Sequence, residues 1–344
     1  MAGHAHGSLH RRLPLTEIMR MRDATISFLA ALLAAGSIFV PGAVQAQAYP
    51  SKPLKLIQGF GAGGNGDITA RILAGAMSPG LGQPIVVEGK TGAGGNIASD
   101  YVAKSPPDGY TLILLTGGHA VSGGLYKSLP FDPVNDFAMV STVTFFPFVI
   151  SVRADHPAKS FADLIAMARN TPGGLKYSSV GIGSTQHLVG EYLAATAGVE
   201  LLHVPYRGGA APVEALLRGD VDIMIDTVTF TIGQIKGGKV IALAVTNPTP
   251  WAALPGVPTV AETYAGFEVR SWTGLAAPRG TPPEIVERLN AEVRRALAQP
   301  EARKRLEELG NEVRAGSPEQ MRTHVASEIA KWKRVVDQAK IERP

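Results

Sequence analysis

The sequence predicts an α/β fold in two lobes with a ligand cleft between them, and three observations lead there. Short apolar runs alternate with amphipathic helical stretches along most of the chain, the pattern of strands joined by crossover helices in largely parallel sheets. The 344 residues exceed one ordinary hydrophobic core, even after a leading segment is set aside. Two long extended runs, 137–152 and 267–276, read as crossover strands that carry the chain to a second unit and back, and so form a hinge. Ligands of open α/β sheets bind at the carboxyl ends of strands, which is where three glycine-rich turns fall.

Residues 1–48 read as a targeting segment. Arg20 and Arg22 precede an apolar stretch at 26–40 that is short for a membrane span, and small-residue cleavage sites follow at Ala46 and Ala48. The residues before Met19 or Met21 are an over-long gene start on this reading. Arg11 and Arg12 form a pair, but Pro14 and the distance to the apolar stretch argue against a twin-arginine route. Export to the periplasm by a cleaved signal peptide is the expectation. There is no second long apolar stretch and no cysteine, so no stable membrane anchor, disulfide framework or thiol chemistry is expected. Cleavage after Ala46 removes four arginines and two acidic residues, so the net charge falls from +4 to +2, no nucleic-acid footprint.

The elements follow in order. Strands are expected at 54–58, 85–88 and 111–115, with helices at 68–77 and 97–104 between them, all within a first lobe part at 49–149. The second lobe, 150–271, holds strands at 175–179, 202–205, 221–225 and 240–245 and helices at 184–196 and 210–217. After the return crossover, prolines at Pro278, Pro282 and Pro283 stop the strand and suit a first helical turn. Helices at 284–298, 301–309 and 318–340 complete the first lobe through its C-terminal part, 272–344. Their apolar stripes, such as Ile285, Leu289, Val293 and Leu297, are core-facing.

The glycine turns carry the chemistry. Phe60, Ala62, Gly63, Gly64, Asn65 and Asp67 lie in the first, Gly94 and Asn96 in the second, and Ser184, Thr185 and Gln186 in the third. Glycines admit close backbone approach by a ligand, and the free N–H groups of a helix start attract a carboxylate or phosphate. Asp67 reads first as a cap on the opening helix, with Arg71 as a candidate partner. Ser184 reads as an N-cap that leaves Thr185 and Gln186 as donors toward the cleft. Thr116 and Gly117 end a strand of the first lobe, and Asp226 and Thr227 one of the second. Asp226 either accepts from a donor on the ligand or caps a helix starting near Thr229.

Several stretches together resemble the Bug family, the extracytoplasmic solute receptors of tripartite tricarboxylate transporters. They are Tyr49-Pro-Ser-Lys-Pro53, Gly63-Gly-Asn-Gly-Asp-Ile-Thr-Ala-Arg71, Gly92-Ala-Gly-Gly-Asn96 and Ser105-Pro-Pro-Asp-Gly-Tyr-Thr111, followed by Gly181-Ile-Gly-Ser-Thr-Gln-His-Leu188, His203-Val-Pro-Tyr-Arg-Gly208, Gly219-Asp-Val-Asp222 and Pro255-Gly-Val-Pro-Thr259. The second turn departs from the family pattern, with Gly89-Lys90 where an Asn-Arg-like pair is usual. The resemblance implies a type II-like periplasmic binding fold closing on a small organic carboxylate, held by backbone amides and ordered waters. It also implies membrane permease subunits as partners, and places Tyr206 of the His203–Gly208 motif at the ligand.

Other chemistries fare worse. Gly59-Phe-Gly-Ala-Gly-Gly64 is a literal G-x-G-x-x-G after a strand, with Glu88 ending the next, so an exported NAD-dependent oxidoreductase is the alternative. Export, a second glycine cradle just past Glu88 and the lack of a downstream acid or base weigh against it. Ser184 and His187 lack a nucleophile elbow, so no catalytic residue and no enzyme activity are expected. His119, His156, His187, His203 and His324 show no ligand spacing; they read as surface or capped residues, and neither metal nor cofactor is predicted.

Overall fold

The computed structural model describes residues Tyr49–Pro344, and the segment read as an export signal lies outside the described residues. The chain begins β1 (Leu54–Gln58), α1 (Asn65–Leu81), β2 (Ile85–Gly89), a short 3-10 turn (Ala93–Gly95), α2 (Asn96–Ala103), β3 (Thr111–Thr116) and α3 (Gly117–Leu125). A 17-residue strand, β4 (Phe137–Arg153), leads to α4 (Phe161–Asn170), β5 (Leu175–Ser179), α5 (Thr185–Ala197), β6 (Leu201–Pro205) and α6 (Ala211–Arg218). Then come β7 (Ile223–Thr227), α7 (Val228–Lys236), β8 (Val240–Val245), α8 (Val260–Thr263) and β9 (Arg270–Pro278). The chain closes with α9 (Pro283–Ala298), α10 (Pro300–Glu308), β10 (Glu312–Val313) and α11 (Pro318–Gln338).

Ten strands form one curled sheet in the order β2-β1-β3-β9-β4-β7-β5-β6, with β10 and β8 also pairing β4. The sequence predicts largely parallel sheets, and here it is corrected: the sheet is mixed. β1 pairs β2 and β3 in parallel, and β5 pairs β6 and β7 in parallel. Every contact of β9 with β3, and of β4 with β7, β8, β9 and β10, is antiparallel. The two crossover strands run against their neighbours because each returns the chain across the molecule.

β4 changes partners midway. Residues up to Pro147 pair with β9, and from Phe148 onward with β7 and β8. Proline has no N–H to give a ladder and tolerates the switch point, and two register shifts, at Met139/Ser141 and Thr142/Thr144, bend the strand ahead of it. β4 is buried almost throughout, so its sequence reads as a continuous Val, Thr and Phe run rather than an alternation.

Several helices escape a reading by pattern. α3 has the sequence GGHAVSGGL, whose glycines disfavour helix, yet the Thr116 hydroxyl accepts from Gly118 N–H and the helix is buried against α11. α4 carries a complete capping box, Ser160 with Asp163. Among the described residues no helix is long and apolar enough to cross a membrane.

Candidate functional site

Four helices start at one cavity. Gly64, Asn65 and Gly66 open α1, Thr116 caps α3, Thr185 and Gln186 open α5, and Thr227 caps α7; all of them line the same space. The first N–H groups of an α-helix have no acceptor within it, and its start carries about half a positive charge. Four such starts aimed at one space make it favourable to an anion without any basic side chain. Among the residues lining the cavity, none is Lys, Arg or His. The rest of the wall is Phe60, Phe146, Phe148, Val180, Gly208, Gly209, Asp226 and Ser271.

Local sequence explains each position. β1 and β5 both end in a glycine turn followed by a helix, so Phe60 and Val180 follow strands and Asn65 and Thr185 begin helices. In α5 the Ser184 hydroxyl accepts from His187 N–H at 3.3 Å, so Ser184 is the N-cap and holds the helix start from behind the cavity wall. Thr227 does the same for α7, accepting from Phe230 N–H at 3.4 Å. The sequence leaves Asp226 as an alternative cap for that helix; the cap is Thr227, and Asp226 takes another part.

Asp226 is fully buried in the wall. Its Oδ1 accepts from Gln186 Nε2 at 3.2 Å and from Thr227 N–H at 2.7 Å. Burial pushes the carboxyl up to about 6, against the lowering pull of these bonds.

Asp67 is corrected in detail. The N-cap of α1 is Gly64, which has no side chain to give, and Asp67 reaches back to accept from Gly63 N–H at 3.0 Å. Arg71 Nε donates to the same oxygen at 3.0 Å, and Arg71 Nη2 lies 2.9 Å from the other. Burial raises the Asp67 carboxyl, but the Arg71 guanidinium and the Gly63 amide outweigh it and hold it below its ordinary value. Asp67 therefore braces the loop and does not line the cavity.

The remaining predicted residues spread out. Gly117 lies behind the wall, where a Cβ would sit 2.4 Å from Ser271 Oγ. Ala62 and Gly63 are exposed outside it. Nothing lies within 4 Å of a Cβ added at Gly63, so glycine is required there by its φ of +76° and not by close approach. Gly94 and Tyr206 line an adjoining groove that shares Phe60 and Val180 with the cavity. Asn96 is buried at the start of α2 with its Oδ1 unpartnered.

Sequence reasoning misses Gly66, Phe146, Phe148, Val180, Gly208, Gly209 and Ser271. Phe146 and Phe148 carry a usable signal, since they are two apart on a strand and share a face. Of the two readings for the histidines, the hydrogen-bonded rather than the surface one holds for two: His119 is buried between Ser99 Oγ and the Pro133 carbonyl, and His156, also buried, accepts from Ala158 N–H at 3.2 Å. His187 and His203 stack at 4.1 Å, and burial with the neighbouring His187 drives His203 down to about 3. Glu88, the acid of the dinucleotide pattern, lies 3.0 Å from Lys55 Nζ in a salt bridge and outside the cavity wall.

Comparison with known proteins places this geometry. Residues 69–341 match the model of the "Tripartite tricarboxylate transporter family receptor". BugT of Bordetella pertussis is 34% identical over 313 residues, 89% of this chain and 96% of that protein. The solved structure of the periplasmic binding protein BugD has a TM-score of 0.83 at 37% identity, over 86% of this chain and 100% of that one. Rpa4515 of R. palustris, solved with adipate, also has a TM-score of 0.83, at 39% identity and with the same two coverages. The family is one of receptors and not of enzymes, and its solved members share this α/β fold. The chain belongs to the tripartite tricarboxylate transporter receptor family, whose Bug members are periplasmic binding proteins.

Proposed function

We propose that this protein is a periplasmic solute receptor that captures a small organic carboxylate in the cavity and delivers it to the permease subunits of a tripartite transporter. The observation that carries this is the convergence of the α1, α3, α5 and α7 starts on one space without a basic side chain. Charge-assisted bonds from such N–H groups are worth about 1.5–3 kcal/mol each in a site closed to water. Adipate in the related Rpa4515 supports a carboxylate as the ligand.

On this proposal residues 1–48 are removed on export. The lobes are 49–149 with 272–344, and 150–271, with the hinge where β4 and β9 pass between them. The captured acid is released unchanged. A thermal-shift screen of the exported protein against organic acids, sugars and NAD is the test: acids raise the melting temperature by mass action, and the others leave it where it was. A shift with NAD and none with any acid rejects the receptor. Uptake of the identified acid by cells, lost when this gene or the permease genes are deleted, tests delivery.

A further inference from the structure

The cavity wall is of two kinds. Helix starts and polar side chains make one part of it, and Phe60, Phe146, Phe148 and Val180 make the other. Phe146 and Phe148 stand two apart on β4, their ring centroids 6.3 Å apart at 71°, an edge-to-face pair. Both are 1% exposed. Both line the cavity, so a ligand there meets their rings, which return nothing to a polar or charged group that gives up its water.

The charge available is small. No cationic side chain lines the space, and the helix starts supply partial charges spread over several N–H groups. Those groups suit the two oxygens of one carboxylate. Thr185 and Asp226 are 3% and 4% exposed, and the Thr185 hydroxyl has no hydrogen-bond partner among the described residues, so one polar group stands open beside the amides. A compact acid with three carboxylates would set two further charges against phenyl rings and another carboxyl, with no cation to pair them.

Resting on the carboxylate-receptor proposal above, we infer that the cavity takes an acid with one carboxylate head and an apolar body, a ring or an unbranched chain of four or more carbons, seated on Phe60, Phe146 and Phe148, and that it excludes compact tricarboxylates. A second polar group at the far end of such a chain is compatible with the site where it reaches the adjoining groove, which opens beyond Phe60.

Calorimetric titration of the exported protein with benzoate, hexanoate and adipate, set against citrate and tricarballylate, tests the class. At least one apolar-bodied acid is expected to bind tenfold or more tighter than both tricarboxylates. Phe60→Ala, at a half-buried turn position, is expected to weaken that acid tenfold or more, and Phe148→Leu, which keeps the core filled, to weaken it several-fold. Citrate or tricarballylate binding as tightly as the best apolar acid overturns the inference and leaves the receptor proposal standing. Silence from every acid overturns the receptor proposal itself, and the inference with it. Wild-type affinity in both phenylalanine variants also overturns the seating.

Discussion

Gly61 and Gly208 form a parallel β-bridge, joining the turn after β1 to the turn after β6, where Gly208 lines the cavity. A Cβ at Gly61 would lie 2.9 Å from Gly209 N and 3.0 Å from Gly208 C, both backbone atoms that cannot move aside alone. The bridge joins backbones from the two halves of the sheet, so it exists only when they are together.

Gly61→Ala isolates that bridge. Gly61 does not need a positive φ, so alanine is tolerated in each half and obstructs only their approach. Affinity for the identified acid is expected to fall tenfold or more, with the melting temperature of the free protein changed by little. Small-angle scattering is expected to show less compaction on adding ligand than in the wild type. Unchanged affinity and compaction would show that closure does not depend on this contact.

Asp226 sets a pH dependence. Its carboxyl rises from 3.8 to about 6 on folding, so the folded protein holds a proton that the unfolded chain has released between those values. Stability from this group therefore declines as pH rises through that window. An anionic ligand beside Asp226 favours the protonated form, so affinity is expected to fall several-fold between pH 6 and 8 as the carboxylate appears. Asp226→Asn is expected to flatten both trends, measured by thermal melts and calorimetry across pH. A wild-type slope retained in the variant would assign the dependence to another group.

How much of this was legible in the sequence depends on the range of the forces involved. β1, β5 and β8 are read to the residue, because strand and turn signals there are local. The glycine turns point to Phe60, Gly64, Thr185 and Gln186 for the same reason: a strand, a turn and a helix start are written in consecutive residues. The sheet's mixed character is not local, since nothing in β4 or β9 states which strand will lie beside it. Phe146 and Phe148 are apolar in an apolar strand, and only the partner switch at Pro147 turns them toward the cavity. Gly208 and Gly209 look like any turn until Gly61 meets them.

The Asp67 brace gives a stability prediction. Asp67 is 5% exposed and holds Gly63 N–H, whereas Arg71 is mostly exposed and its charge is screened by water. Asp67→Ala is expected to cost about 1–3 kcal/mol, because a buried acceptor is lost from a loop that depends on it. Arg71→Ala is expected to cost less than about 1 kcal/mol. Urea melts of the two variants give the comparison, and equal losses would mean that the ion pair, not the loop bond, is what matters.

Ser184 and Thr185 are adjacent and are expected to fail differently. Ser184 is fully buried, is not among the residues lining the cavity and caps α5 through His187 N–H, so Ser184→Ala should cost about 1 kcal/mol of stability. It reaches the ligand only through the orientation of the helix start, and a loss of affinity below about threefold is expected. Thr185 lines the cavity with no hydrogen bond of its hydroxyl to the described residues, so Thr185→Val keeps the shape and removes one ligand contact. Stability should hold, or rise slightly, while affinity drops about fivefold to tenfold, as a hydrogen bond to a charged group predicts. Paired melts and titrations decide: if Thr185→Val loses stability and keeps affinity, its hydroxyl serves the fold, and the anion is held by the backbone N–H groups alone.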